Sequence, residues 1–356
     1  MSFEIYSSWT LAQIFFGALA VIAFTFLAGK PSEPGKRTIR IDEIDIVKGI
    51  AIFSIIFLHM PYAEQGGILQ KDFFSFGVEI FILASGYLLC TRYTESMNIG
   101  EYLKGIASRV VVPYAAFTFL SHIITWSGVV PYELALDLIF GRGNGGSLYF
   151  IPVILQFYLL FPVLIRIRRL LFNRWALAVF YSACALVIFW DWQIRQPWNA
   201  NPAALILFAR YSFFFIFGMY LSTFQIDTWN WKKLAAFAVL FLLSVAGQSA
   251  AVGQFFIGQN YPVFIFFTVL ALAKIAKDQK WSLDWLSWAG RNSLWIYFLH
   301  AISIYAVLMF MHSPQTLSEY ILNCLLAILL SLVCVYLGKK IGDAFGRAQL
   351  FIASTH

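Results

Sequence analysis

The dominant pattern along the chain is a succession of apolar runs, each about the 20 residues that an α-helix needs to cross a bilayer core. They fall at roughly 8–29, 44–62, 73–91, 106–128, 147–166, 175–192, 203–224, 233–251, 255–274, 288–311 and 319–342, with short polar segments between them. In lipid every backbone N–H and C=O must be satisfied within its own segment, so runs of this length read as helices. The pattern predicts an all-α fold, a polytopic transmembrane helix bundle of about eleven spans. The first run follows Glu4 instead of a basic stretch and is long enough to span, so it reads as a mature helix and not as a cleaved signal. Four regions result: an N-terminal transmembrane helix (1–30), a basic linker (31–43) containing Pro31, Pro34 and Gly35, a membrane domain (44–342) and a tail (343–356).

The polar segments alternate in basic content. One set holds Lys30, Lys36, Arg37 and Arg40, then Arg92 and Lys104, then Arg166, Arg168, Arg169 and Arg174, and continues to Lys339, Lys340 and Arg347. With Lys48, Arg109 and Arg291 at adjoining helix ends, it accounts for all 25 Lys and Arg except Lys71, Arg142, Arg195 and Arg210. Basic loops stay on the cytoplasmic side, which predicts a multi-pass protein of the cell membrane with its N-terminus outside and its C-terminus in the cytoplasm. The longest external loop, about 129–146, contains Gly141-Arg142-Gly143-Asn144-Gly145-Gly146. It lacks the Lys-Ser/Thr of a phosphate-cradling P-loop and lies on the wrong side for nucleotide, so it reads as a flexible external lid.

Composition sharpens this picture. Of 356 residues 60% are hydrophobic and 12% charged, about half the charge of an ordinary soluble domain. Phe, Tyr and Trp, at 37, 17 and 12, suit a lipid-facing surface with aromatic belts at the interfaces. The net charge of +7 lies in the short loops, where it works as a topology signal and excludes nucleic acid as a partner. Cys90, Cys184, Cys324 and Cys334 all lie in apolar runs without C-x-x-C or His at ligand spacing, so neither a disulfide framework nor a metal site is expected.

Ionisable residues inside spans are costly and therefore mark function. His59 lies near the outer end of the second span, and Glu79 about six residues into the third from the same side. An imidazole oriented by a carboxylate is a general-base arrangement, and an ion pair holding two helices together is the structural alternative. Lys48 precedes His59 by eleven residues, about 16 Å along one helix, at the cytoplasmic end. Lys48 and Arg109 are each compatible with an interfacial anchor; together they make a basic mouth suited to an anionic ligand such as a phosphate. His122, His300 and Arg210 also fall in outer halves of their spans. Ser85 lacks the G-x-S-x-G turn of a nucleophilic serine and reads as a small residue packing helices.

Several of these segments look familiar as a set. Asp45-Ile46-Val47-Lys48-Gly49-Ile50-Ala51-Ile52, running to His59, resembles the opening helix of acyltransferase family three, whose hallmark is a basic residue and a histidine with ten residues between. Gly77-Val78-Glu79 through Ser85-Gly86-Tyr87, Ser108-Arg109 followed by Pro113-Tyr114, Leu148-Tyr149-Phe150 through Gln156-Phe157-Tyr158 and Pro162, and Ser293 through Tyr297 to His300 are similar to further family segments. The resemblance covers roughly 40–342. The family usually has Arg at the position of Lys48, often a further Arg near Arg109, and ten helices, so the N-terminal span is an addition to a ten-helix core.

The resemblance implies a membrane O-acyltransferase of the stand-alone, exopolysaccharide-modifying type. It would move an acyl group, acetyl from acetyl-CoA, to a hydroxyl of a cell-surface glycan. His59 is implied as the base or transient acyl acceptor, Glu79 as its orienting group, and Lys48 and Arg109 as the groups that meet the donor's phosphates. Arg210, His122, His300, Tyr149 and Gln156 form a second tier. No metal is implied; the partners are acyl-CoA, an extracytoplasmic glycan, the bilayer and polysaccharide synthesis machinery. The rival class is a glycan or lipid-linked sugar transporter or flippase, against which stand the absence of internal repeats and of paired helix interruptions.

Overall fold

The computed structural model describes residues 10–29, 41–62, 73–93, 95–126, 128–141, 148–168, 172–195, 211–224, 226–252 and 259–354. Among them all regular structure is helical, as the apolar runs require. The helices are α1 (Thr10–Leu27), α2 (Asp42–His59), α3 (Gly77–Arg92), α4 (Ile99–Ile106), α5 (Val112–Trp126), α6 (Pro131–Phe140) and α7 (Phe150–Leu164). There follow α8 (Arg174–Arg195), α9 (Ser212–Leu221), α10 (Trp231–Val252), α11 (Asn260–Asp278), α12 (Asp284–Arg291), α13 (Ser293–Met311) and α14 (Leu317–Ser354). Each apolar run of the sequence contains a helix. Six segments have the length and apolarity of a full crossing: Thr10–Leu27, Ile99–Ile123, Trp231–Ala250, Asn260–Asp278, Ser293–Met311 and Leu317–Asp343. For the other runs, the expected crossing rests on helices that are shorter or carry charge.

Helix α2 shows why charge is tolerated there. It carries Asp42, Glu43, Asp45 and Lys48 in its first two turns, yet it is packed on by α3, α11, α12, α13 and α14 and buries most of its residues in protein. Glu43 receives Lys274 and Lys277 of α11, each at 3.0 Å, which ties the acidic first turn of α2 to its neighbour. The helix stops where it does because Pro61 follows Met60: the residue before proline is driven out of the helical region, and Met60 has ψ 118°. His59 is thereby the last helical residue. The hydroxyl of Tyr320 on α14 donates to the Phe57 carbonyl at 2.5 Å and holds this last turn in place.

Two close helix crossings fix α2 and α3. A Cβ at Gly86 would run into the Phe215 carbonyl of α9, and one at Gly218 into the Leu83 carbonyl of α3, so the two backbones meet at glycine from both sides. The same reciprocity holds between α2 and α12, where Gly49 faces the Leu286 carbonyl and Gly290 the Asp45 carbonyl. Sequence reasoning assigned helix packing to Ser85; the adjacent Gly86 is the residue that does it.

Three segments differ from the sequence-based expectation. The loop at 129–146 holds a ten-residue helix, α6, begun by Pro131 and closed by Gly141 in the left-handed region at φ 63°; residues 142–147 lie outside the described set. The run at 288–311 is two helices, broken at Asn292, with the short amphipathic α12 before α13. The tail after residue 342 continues as helix to Ser354.

The additional N-terminal helix docks on α8 and α10. Its Gln13 and the Gln248 of α10 both lie within electrostatic reach of Tyr181; the three side chains are 0% exposed, and their amide and hydroxyl atoms make no hydrogen bond among the described residues. A π-turn at Gln13–Gly17 and the lack of a Cβ at Gly17, where one would overlap the Tyr181 hydroxyl, bring α1 close enough for this. Nearby, the Asn260 amide donates to Ser244 at 2.7 Å and Ser244 donates to the Phe16 carbonyl at 3.0 Å.

Candidate active site

The N-terminal turns of α2 and α13, the C-terminal part of α3, helix α4 with the turn after it, and the first half of α7 enclose a cavity of about 280 Å³. Its charged lining is Lys48, Arg92 and Arg109; its hydroxyl-bearing residues are Ser85, Tyr93, Tyr102, Tyr158, Ser293 and Tyr297; Phe81, Leu88 and Ile154 are among its apolar walls. Lys48 and Arg109, paired on sequence as a basic mouth, thus meet in one cavity. Lys48 keeps Asp45 at 3.6 Å with its side chain 20% exposed. Arg109 projects from a π-turn, Ala107–Val111, inserted between α4 and α5. Such a single wide turn shifts the phase of the residues that follow it, and these turns recur at functional sites.

Arg92 is the member that sequence reasoning assigned only to topology. It ends α3, with its guanidinium 5.5 Å from the Tyr93 ring. The family often carries a further arginine close to Arg109 in sequence; here a second guanidinium reaches the same cavity from another helix. Arg168, by contrast, is engaged with Glu95 at 3.1 Å and lies outside the cavity lining.

Helix α7 shows the limit of motif reading. Phe150, Ile154 and Tyr158, four residues apart, face the cavity. Gln156, two residues from each neighbour, turns away and donates to the Pro152 carbonyl of its own helix at 3.2 Å. Tyr149 likewise is outside the lining. Tyr158 replaces them as the polar residue of this face: its hydroxyl lies 3.5 Å from that of Ser85, and its carbonyl accepts from Tyr102 at 2.8 Å.

At the other end of α2 stands His59. Its Nδ1 lies 2.8 Å from the Ile55 carbonyl. A carbonyl only accepts, so Nδ1 carries the proton and Nε2 presents a bare lone pair. The ring is edge-on to His300 of α13, with centroids 5.1 Å apart. His300 is 0% exposed, and its Nδ1 donates to the Tyr297 carbonyl one turn back. Its Nε2 is buried with no hydrogen-bond partner among the described residues. A lone pair left in that state costs about 1–3 kcal/mol, a defect that a structural histidine would avoid.

Tyr297 joins the two halves. Its ring lies over His300 at 5.3 Å and 27°, its hydroxyl accepts from the Phe150 N–H at 3.3 Å, and it lines the cavity. The order from the basic end is therefore cavity, Tyr297, His300, His59.

The expected carboxylate–imidazole contact is not made. No hydrogen bond joins Glu79 to His59, whose Nδ1 is taken by Ile55. The cause is register: Gly77 packs against Ala51, Ser54 and Ile55. Glu79, two residues deeper, then lies about two helical turns below His59. Its place in the first turn of α3 also suits a carboxylate, which the helix N-terminus stabilises.

His122 belongs to a separate structure. Its Nδ1 is 2.8 Å from the Asp137 carboxylate, and its Nε2 accepts from the Val130 N–H at 3.1 Å. Both nitrogens are engaged in sewing α6 to α5, and Tyr114 donates to the carbonyls of Asp137 and Leu138 at 3.1 and 2.9 Å. Asp137 was hidden by the expectation of a loop. Arg210 lies outside the described residues. No group of three or more metal-ligating side chains occurs among the described residues.

The described residues thus form a helical membrane protein with three cations around one cavity and two histidines beyond it, each with its Nδ1 on a carbonyl of its own helix. A family model described as acyltransferase domain matches residues 41–337, and the chain belongs to acyltransferase family three. The match begins just before α2 and leaves α1 outside. No curated protein and no solved structure matches the chain.

Proposed function

We propose that this membrane acyltransferase takes an acetyl group from cytoplasmic acetyl-CoA and places it on a hydroxyl of an extracytoplasmic glycan. The observation that carries the reading is the convergence of Lys48, Arg92 and Arg109 on one cavity at the basic end of the bundle. Three cations around an opening of this size suit a ligand with several phosphates, because guanidinium and ammonium groups form charge-assisted hydrogen bonds to phosphate oxygens. The thioester arm would run along the apolar walls toward Tyr297.

His59 is the base in this reading. Its Nε2 lone pair accepts the proton of the acceptor hydroxyl as the oxygen attacks the thioester carbon, forming the C–O bond and releasing the thiolate. The Ile55 carbonyl fixes the tautomer, the service usually given by a carboxylate. Glu79 acts from greater depth through its charge, favouring the imidazolium that forms. The glycan approaches from the end of α2 that carries His59.

The direct test is purified full-length protein in detergent with acetyl-CoA and an oligosaccharide acceptor. Release of free thiol together with a mass increase of one acetyl group on the acceptor is expected. Thiol release without acceptor acetylation would exclude the glycan as acceptor, and neither product would exclude the reaction. Transport of the glycan with no acyl turnover would favour the transporter class.

A further inference from the structure

His59 and His300 are held alike. Each imidazole gives its Nδ1 proton to a carbonyl of its own helix, Ile55 for one and Tyr297 for the other. Each therefore presents Nε2 as a lone pair, and the rings are in edge-on contact at 5.1 Å. They differ in what they can reach. His59 is only partly buried, at the end of α2; His300 is 0% exposed. An enclosed base exchanges protons only with what touches it. For His300 that means His59 on one side and, on the other, a group entering from the cavity past Tyr297, whose ring covers it.

We propose that His300 is a second base of the acyl transfer: it takes from His59 Nε2 the proton given up by the acceptor hydroxyl and delivers it to the departing thiolate. This rests on the acyl-transfer reading above and adds a step to it. The need arises from geometry. The hydroxyl arrives at the His59 end, whereas the thiolate leaves toward the cavity, on the Tyr297 side of the pair. One imidazole would have to serve both places; two in contact divide the work.

The step balances without a further reactant. The acceptor O–H bond breaks and an Nε2–H bond forms on His59 while the C–O bond forms. The C–S bond then breaks with its electron pair on sulfur. The proton passes from His59 Nε2 to His300 Nε2 and from there to sulfur, giving the free thiol. Both histidines end in the tautomer in which they began.

The test compares donors with different leaving groups, using full-length protein. With acetyl-CoA, His300→Gln is expected to lower kcat about 10²-fold or more, in the range of general acid–base catalysis, with KM for acetyl-CoA unchanged. With p-nitrophenyl acetate, whose leaving group departs without a proton, His300→Gln should match wild type, whereas His59→Ala should lose activity with both donors. A merely structural His300 predicts equal losses with the two donors, and that result, or full activity of His300→Gln with acetyl-CoA, would overturn the relay. His300→Phe, which keeps a ring over Tyr297 but has no nitrogen, is measured beside it so that a misfolded glutamine variant leaves the comparison intact. If wild type does not use the aryl ester, the solvent deuterium isotope effect on kcat with acetyl-CoA decides: a change in the His300 variant supports the relay, and the same value in both proteins refutes it. A wild-type protein that moves no acetyl group from acetyl-CoA would instead overturn the functional reading itself.

Discussion

Arg92→Ala is the substitution that separates a donor site from a topology signal. Arg92 ends α3 at the cavity mouth, where it is exposed, so its attraction to a phosphate is partly screened. A charge-assisted hydrogen bond contributes about 1.5–3 kcal/mol, and screening places Arg92 at the low end. About 1.4 kcal/mol is a factor of ten, so KM for acetyl-CoA should rise roughly tenfold. Phosphates far from the reacting carbon are held equally in ground and transition states, so kcat should stay near wild type. Two controls sharpen the assay. With acetyl-pantetheine, which lacks the nucleotide and its phosphates, Arg92→Ala and wild type should be indistinguishable. At high ionic strength, where the screening length falls to about 3 Å at 1 M salt, the tenfold difference should shrink. An unchanged KM for acetyl-CoA, or an equal loss with acetyl-pantetheine, would refute the placement of a phosphate at Arg92.

Lys48 is deeper in the same cavity, 20% exposed, so Lys48→Ala should raise KM for acetyl-CoA more than Arg92→Ala does, while Lys48→Arg, which keeps the cation, retains activity; steady-state kinetics on the three variants decide. His122→Ala should lower the melting temperature without lowering activity per folded molecule, because removing one partner of the buried His122–Asp137 pair costs about 3–5 kcal/mol; an inactive but stable variant would contradict this. Gln13→Leu should leave the thermal unfolding temperature unchanged or raise it, because its buried amide makes no hydrogen bond among the described residues and an apolar side chain of similar size removes that cost; a clear fall in unfolding temperature would show that the amide is engaged.

Much of this arrangement is legible in the sequence, for identifiable reasons. Lys48 and His59 lie on one helix, so their spacing alone fixes a separation, and Arg109 announces itself by position at a basic end. Arg92 carries the same kind of charge in the same kind of place, but nothing in a sequence distinguishes an arginine that faces a cavity from one that faces phospholipid. Glu79 and His59 are on different helices, and their relative depth depends on how Gly77 packs against Ala51 and Ser54, which hydrophobicity does not encode. Gln156 and Tyr158 lie in the same family-like segment, and only the phase of α7, set by tertiary packing, shows that Tyr158 faces the cavity. A search for ionisable residues inside spans also passes over Gln13, Tyr181 and Gln248, which are uncharged and yet fully buried where the helix outside the matched domain docks. His122 looked equivalent to His300 in sequence; its partner Asp137 sits in a segment whose helix was masked by its polar, glycine-rich end.

The central claim is that His59 is the group that takes the acceptor's proton, and it is tested most directly by the specific activity of His59→Ala per correctly folded molecule. The variant is expected to insert and to purify as a single species, because His59 sits at the end of α2 and, among the described residues, its side chain hydrogen-bonds within its own helix. Acetyl transfer to the acceptor should fall by about 10²–10⁴-fold, the usual contribution of a general base. Near-wild-type transfer by folded His59→Ala would contradict the account.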